Sequence, residues 1–235
     1  MANSYGHTVK AFDEDLTQLR GLVAEMGGRA ENAISGSIEA LVRRDLEGAA
    51  GIVQEDRRIY EINAEIERHV VRLIALRAPL ADDLREVLAA LKIGGLIERM
   101  GDYAKNIAKR VPLIAEAANV EPLSILPPMA SVVSNMVHDA LDAFAARDPV
   151  TAQQVCETDR TVDDFYDSMF RALLTHMMEN PTTITSATHL LFVAKNLERI
   201  GDHATNVAEM VYFAATGEQL GERPRGADAL AATQR

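Results

Sequence analysis

Two stretches of the sequence carry acidic and amide side chains at the same spacing. They read LIERMGDYAKNIAKRV and, 100 positions later, NLERIGDHATNVAEMV. In each, a Glu, an Asp and an Asn follow one another at intervals of four, so three oxygen-bearing side chains would share one stripe of a helix. Like charges at this spacing destabilise a helix by about a few tenths of a kcal/mol, and the interior Gly costs about one more. A bound cation would offset the repulsion.

A second acidic pair strengthens the interpretation as a metal site. Asp159 and Asp163 are also four apart, on a helix that should run antiparallel to the one carrying Glu198. Carboxylates on facing helices suit iron, zinc, manganese or magnesium, as divalent or ferric ions. The candidate ligands are Asp159, Asp163, Glu198 and Asp202 in the second copy, and Asp56, Glu98 and Asp102 in the first.

The first copy is the weaker candidate for a metal site. Tyr60 stands at the position that matches Asp163, and Lys105 and Lys109 stand where the second copy has Thr205 and Glu209. These lysines could pair with the acids of their own copy. In either copy the acids could instead form ordinary salt bridges with arginines, with the motif Asn residues joining neighbouring helices.

Other chemistry has little support in the sequence. Of the histidines, His203 is singled out because it adjoins Asp202. The chain has no Glu-x-x-His motif, no phosphate-binding Gly-rich loop, no nucleophile elbow and no pair of thiols. We therefore expect a protein that is not an enzyme.

The duplication extends over most of the chain and predicts its architecture. Upstream of the motif, RRDLEGAAGIVQEDRRIYEI matches ARDPVTAQQVCETDRTVDDF at an offset of 103. Three-four spacing of apolar residues indicates three long helices in each copy. The predicted fold is all-α, with two tandem three-helix bundles, 8–118 and 129–216, related by a pseudo-twofold axis. A Pro-rich joint, 119–128, connects them, and a loose tail, 217–235, follows.

Capping residues and prolines predict the helix boundaries. Asp45 and Asp148 are predicted N-caps of the second helix of each copy. The third helices should begin after Pro79 and Pro181, and Pro112 should kink or end the first of them.

Composition limits the class of partner. The 235 residues are 48% hydrophobic with only 5% aromatic, which favours helices with real cores. The single Cys156 fits a reducing compartment. A net charge of −11 argues against nucleic acid or anionic membranes as binding partners and favours cations or basic protein surfaces. The alternative is that the charge serves solubility alone. No uncharged stretch reaches the roughly 18 residues of a membrane span, so we expect a soluble cytoplasmic protein without membrane insertion.

Several motifs together resemble those of the PhoU family, the phosphate transport system accessory proteins. They are the duplicated ERMGD and ERIGD, the upstream EDRRI and TDRTVD, and the stretches MGGRAENAI and MVHDALDAFAARD. The resemblance covers about residues 8 to 216. It implies a pseudo-symmetric pair of three-helix bundles whose acidic motifs bind iron or zinc, with the seven acids named above as ligand candidates.

The resemblance also implies a role. Proteins similar to this chain repress the phosphate-starvation response when phosphate is plentiful, by linking the ATPase subunit of the phosphate ABC transporter to a sensor histidine kinase, and they restrain phosphate uptake. Two other functions remain open, a metal-storage or redox protein without a signalling role and an inert helical scaffold. Long exposed helix faces favour self-association, and we expect a homodimer.

Overall fold

The computed structural model describes residues 4–115 and 121–220. Joint residues 119 and 120, and the predicted loose tail from residue 221, lie outside this part. The described chain is helical, with six long helices and one short one. The helices are α1 (Ser4–Arg43), α2 (Leu46–Arg77), α3 (Ala81–Ala108), the short α4 (Val111–Ala115), α5 (Leu126–Ala146), α6 (Pro149–Glu179) and α7 (Ile184–Thr216).

Helix boundaries follow the sequence signals. The side chain of Asp45 accepts a hydrogen bond from the Gly48 N–H at 3.0 Å, and Asp148 accepts one from the Val150 N–H at 2.9 Å, so both predicted N-caps are confirmed. The third helix of the first copy ends before Pro112, which lies in α4. Single 3₁₀ turns precede α5 and α7, at Glu121–Ile125 and Pro181–Thr183.

The helices form the predicted pair of three-helix bundles, α1–α3 and α5–α7. The bundles pack through α3 against α7 and α1 against α5, while α2 and α6 flank them. On α3 and α7, Tyr103 and His203 occupy the same position of the repeat, and their rings stack with centroids 5.6 Å apart. Arg110, which follows Tyr103 and lies just after the end of α3, stacks over Phe192, which precedes His203 on α7. The two helices therefore run antiparallel. A pseudo-twofold axis therefore passes between Tyr103 and His203.

The apolar stripes of the motif helices form the centre of the core. Ile97, Met100 and Ala104 on α3, and Ile200 and Ala204 on α7, are almost completely buried. Burial of an aliphatic side chain stabilises the fold by about 1.5 to 3 kcal/mol. Each motif is therefore fixed in rotation, because turning the helix would expose this stripe.

One buried acid links the two bundles. Glu86 on α3 is only 3% exposed, and it accepts a hydrogen bond of 2.6 Å from Arg20 on α1. It also forms an ion pair with Arg147, the residue that caps the C-terminus of α5 with φ 54°. The matching positions in the other copy are Ser186 and Arg44, so this link exists on one side of the pseudo-twofold only.

Arg147→Ala should lower the free energy of unfolding by about 1 to 3 kcal/mol, because it removes one of the two partners of a buried carboxylate. Arg44→Ala is the matched control, since Arg44 also has a positive φ (56°) and its side chain donates a hydrogen bond to the Ala115 carbonyl. Urea denaturation measures both. Equal losses in the two variants would show that the link to Glu86 does not stabilise the fold.

Candidate metal centres

Close approach of α2 to α3 forms the first acidic cluster, which consists of Asp56, Glu98 and Asp102. A Cβ placed on Gly101 would lie 2.9 Å from Ile59 Cδ1 and 3.7 Å from Asp56 Oδ1. The motif glycine thus leaves space for the side chains of α2. This explains why a residue that weakens a helix occupies the middle of α3.

Lys105 supplies the cation of the first cluster. Its Nζ donates to Asp56 Oδ2 at 2.6 Å and to Asp102 Oδ1 at 2.5 Å. Burial lowers the pKa of Lys105, but the hydrogen bonds and charges of the two carboxylates outweigh this and raise it. The pairing of Lys105 with the first-copy acids, which the sequence suggested, is confirmed.

Glu98 has a separate partner. Asn63 on α2 donates from Nδ2 to Glu98 Oε2 at 2.5 Å. The cluster opens to solvent as a depression of about 310 Å³, lined by Asp56, Arg57, Tyr60, Glu98, Asp102 and Lys105. Tyr60, at the position matching Asp163, is 63% exposed.

The second acidic cluster, Asp159, Asp163, Glu198 and Asp202, lies where α6 packs on α7. Desolvation and the negative charges of Asp159 and Glu198 raise the pKa of Asp163 to about 6. Desolvation and the charges of Glu198 and Asp159 raise the pKa of Asp202 to about 6 as well. The four acids predicted from the sequence therefore act on one another electrostatically.

The charge of Lys195 lowers the pKa values of Asp163 and Asp202 and so partly offsets their rise, and Lys195 pairs with Glu198. Its Nζ lies 2.5 Å from each Glu198 carboxylate oxygen and 5.0 Å from the centre of the Tyr166 ring. The counterpart of Lys105 in this copy is the buried Thr205. The two copies thus differ in which acids a lysine neutralises.

The donor set of the second cluster fits a hard cation. All four side chains offer carboxylate oxygens, the ligands that magnesium, manganese and ferric iron prefer. Desolvation and the repulsion between the carboxylates raise the two pKa values, and a cation would oppose both effects. Within the residues described, no three His, Cys, Asp or Glu side chains already stand in a ligating arrangement.

Sequence reasoning missed the side chains that hold the two motif glutamates. Asn63 donates to Glu98, whereas Lys195 pairs with Glu198 and lies over the Tyr166 ring. Asn63 and Tyr166 are equivalent positions at the offset of 103, and Lys195 precedes Glu198 by three residues. That helical spacing was the available signal for Lys195. His203, singled out beside Asp202, instead stacks on Tyr103 at the pseudo-twofold axis.

Comparison with known proteins decides the family. A family model described as the PhoU domain matches residues 23–111 and 126–211, one match for each copy of the repeat. The chain belongs to the PhoU family. A Zymomonas mobilis relative, named as a homolog of the phosphate-specific transport system accessory protein PhoU, is 57% identical, and the alignment covers 98% of this chain and 97% of the relative. A Caulobacter vibrioides protein of the same name is 48% identical, and the alignment covers 93% of this chain and 96% of that protein.

Solved PhoU structures share the fold. The crystal structure of PhoU from Pseudomonas aeruginosa superposes with a TM-score of 0.85 at 34% identity, covering 88% of this chain and all of that one. The crystal structure of the phosphate transport system regulatory protein PhoU from Streptococcus pneumoniae superposes with a TM-score of 0.84 at 28% identity, covering 90% of this chain and all of that one. PhoU proteins are thus an accessory and regulatory family. In the described part of this chain, no helix is both long and apolar enough to cross a bilayer.

The second cluster should make stability depend on pH in an unusual direction. Because the pKa values of Asp163 and Asp202 are raised to about 6, the folded chain binds protons more readily than the unfolded chain between about pH 4 and 6. Their contribution to stability is therefore lost as pH rises through 6. In EDTA, the melting temperature of the wild type should rise relative to that of Asp163→Asn/Asp202→Asn as pH falls from about 7.5 to 5.5.

Asp56→Asn/Asp102→Asn serves as the control for this pH effect, since Lys105 already neutralises the first cluster. It should keep the pH response of the wild type. Parallel pH profiles for wild type and the Asp163/Asp202 variant would show that these two carboxyl groups do not repel their neighbours.

The two motif glycines should respond differently to alanine. In Gly201→Ala the new Cβ meets Val162 at an ordinary 3.4 Å, so the better helix propensity should raise the free energy of unfolding by about 1 kcal/mol. In Gly101→Ala the contact of 2.9 Å with Ile59 should cancel that gain. Chemical denaturation compares the two, and equal stabilisation would disprove the close approach of α2 to α3.

Proposed function

We propose that this chain is a non-enzymatic adaptor that keeps the phosphate-starvation response off while phosphate is plentiful. It links the ATPase subunit of the phosphate ABC transporter to the sensor histidine kinase and restrains phosphate uptake. The supporting observations are that the PhoU domain model matches both repeats, and that a relative named as a homolog of the phosphate-specific transport system accessory protein PhoU is 57% identical, with the alignment covering 97% of its length.

The second acidic cluster is the proposed metal site. Asp159 and Asp163 on α6, with Glu198 and Asp202 on α7, would hold iron, zinc, manganese or magnesium. When bound, the ion neutralises the carboxylates and so holds α6 against α7. The raised pKa values of Asp163 and Asp202 support this role, because burial and the neighbouring carboxylates both disfavour their ionised forms and a bound cation would favour them.

The first acidic cluster is a metal site only if Lys105 is displaced. Its ammonium group already lies within hydrogen-bond distance of Asp56 and Asp102. Glu98, which is bound by Asn63, is the remaining ligand candidate of this copy. We therefore assign metal-dependent shaping of the surface to the second copy, while the first copy is shaped by its own lysine.

Charge and exposed surface support the proposed partners and location. A net charge of −11 suits docking on basic cytoplasmic faces of the transporter and kinase. Exposed Phe170, Leu174 and Met178 follow one another at intervals of four on α6 and offer an apolar stripe for a homodimer. The chain would thus act in the cytoplasm without entering the membrane or binding nucleic acid.

The adaptor role is tested in phosphate-replete cells that lack this chain, with alkaline phosphatase activity as the reporter of the starvation response. Loss of the chain should raise the activity, and the wild type should silence it again. Asp163→Asn/Asp202→Asn should silence it poorly, whereas the control Asp56→Asn/Asp102→Asn should behave like the wild type. Immunoblotting checks that all variants accumulate equally.

Two outcomes would contradict the proposal. Low activity in cells without the chain would remove the regulatory role and leave a metal-binding or storage protein. Full silencing by the Asp163/Asp202 variant would separate regulation from the second acidic cluster.

A further inference from the structure

A cavity of about 780 Å³ lies between the N-terminal half of α1, the loop from α2 to α3 and the C-terminus of α5. Its volume is within the range of about 300 to 1,000 Å³ that is typical of sites for small molecules. Three arginines contribute to its lining, Arg20, Arg77 and Arg147. The acidic motifs of α3 and α7 do not line this cavity, so the function proposed above leaves it unexplained.

Two of these arginines lie close together, because Arg20 and Arg147 contact the same buried carboxylate. Arg20 Nε donates to Glu86 Oε1 at 2.6 Å, and Arg147 Nη2 forms an ion pair with Glu86 Oε2. One carboxylate between two guanidinium groups leaves one net positive charge. Each guanidinium has five N–H donors, and the two side chains remain 34% and 44% exposed. Their other N–H groups can therefore bind an anion in the cavity.

Acidic side chains line the cavity on one side of this arginine pair. Asp13 precedes Arg20 by seven residues on α1, which separates them by about 10 Å along the helix axis. Asp83 precedes Glu86 by three residues on α3, which runs in the same direction as α1 in this up-down-up bundle. Asp83 therefore lies on the same side of the pair as Asp13. The cavity has hydrogen-bond donors at one end and acceptors towards the other.

Apolar side chains complete the lining. Leu16 lies between Asp13 and Arg20 along α1, and Phe12 and Leu80 line the same cavity. Leu80 is 79% exposed, and its neighbour Ala78 has a left-handed backbone with φ 45°. Residues without glycine's freedom hold such a conformation only where the surrounding structure imposes it, and such residues cluster at ligand sites. The cavity thus offers an apolar surface to a ligand as well as charged groups.

We infer that this cavity binds a nucleoside monophosphate, whose phosphate is held by Arg20 and Arg147. A guanidinium group presents parallel N–H donors that match the oxygens of a phosphate group. The hydroxyl and amino groups of the nucleoside can donate hydrogen bonds to Asp13 and Asp83, and its base can pack on Phe12 and the other apolar side chains of the lining. The ligand thus matches the donors, the acceptors and the apolar surface of the cavity.

Other classes of ligand match the lining less well. Inorganic phosphate would leave the apolar side chains and both aspartates without a contact. A nucleoside triphosphate would bring further negative charge close to Asp13 and Asp83, which would repel it. An apolar ligand would leave the guanidinium N–H groups unused.

The cavity lining does not follow from the duplicated motif. In the second copy, Leu123 and Asn180 stand at the positions of Arg20 and Arg77, and Ser186 stands at that of Glu86. The arginine pair and its shared carboxylate therefore occur on one side of the pseudo-twofold only. The inference stands apart from the adaptor role and does not require a bound metal.

Isothermal titration calorimetry on the full chain tests the inference. The protein is first dialysed against EDTA, so that a phosphate group cannot bind through a metal ion in the acidic clusters. AMP and ribose 5-phosphate are titrated separately at constant ionic strength. We expect AMP to bind the wild type, and ribose 5-phosphate to bind more weakly because it lacks the base. Arg20→Gln/Arg147→Gln should lower the affinity for AMP about tenfold or more.

Arg43→Gln/Arg171→Gln is the matched control, because it removes two exposed, ion-paired arginines elsewhere and changes the net charge equally. It should bind AMP like the wild type.

A second variant tests the site without breaking the link to Glu86. Ala146 is exposed and lines the cavity, so in Ala146→Trp the indole ring should occupy the site and lower the affinity for AMP by a similar factor. Ala75→Trp, at an exposed position of α2 outside the lining, should not. The inference would be overturned by a wild type that does not bind AMP, by equal affinity in Ala146→Trp, or by equal affinities for AMP and ribose 5-phosphate.

Discussion

The direct packing of α3 on α7 is the constraint on which the rest of the structure depends. Buried apolar stripes lock the rotation of both helices, and the antiparallel arrangement brings Tyr103 against His203. With the rotation fixed, the acids of each motif must face the flanking helix, α2 or α6, and the motif arginines must face the axis. One short motif thereby produces an acidic cluster on each of two outer faces.

The two copies show how a lysine and a metal ion can serve the same electrostatic purpose. Carboxylates brought together by packing repel each other and need a positive charge. In the first copy Lys105 bridges Asp56 and Asp102. In the second copy the lysine is placed beside Glu198 instead, and the pKa values of Asp163 and Asp202 rise to about 6. Divergence after duplication has therefore left the second copy as the one whose acids have raised pKa values.

Local signals made much of this predictable from the sequence. The duplicated motif, the caps Asp45 and Asp148, and the effect of Pro112 all depend on residues close together in the chain, and the competition from Lys105 follows from spacing on one helix. The link from Glu86 to Arg147 and the support of Glu98 by Asn63 were not predictable, because they join helices whose rotation and offset are set by packing. The same holds for the raised pKa values, which depend on burial as well as on charge.

The most direct test of the account is a calorimetric titration of the EDTA-treated chain with manganese near neutral pH. The account predicts one dominant class of sites, abolished by Asp163→Asn/Asp202→Asn and retained in Asp56→Asn/Asp102→Asn. Binding that survives the Asp163/Asp202 variant, or that is lost in the Asp56/Asp102 variant, would contradict the assignment of the metal site to the second copy.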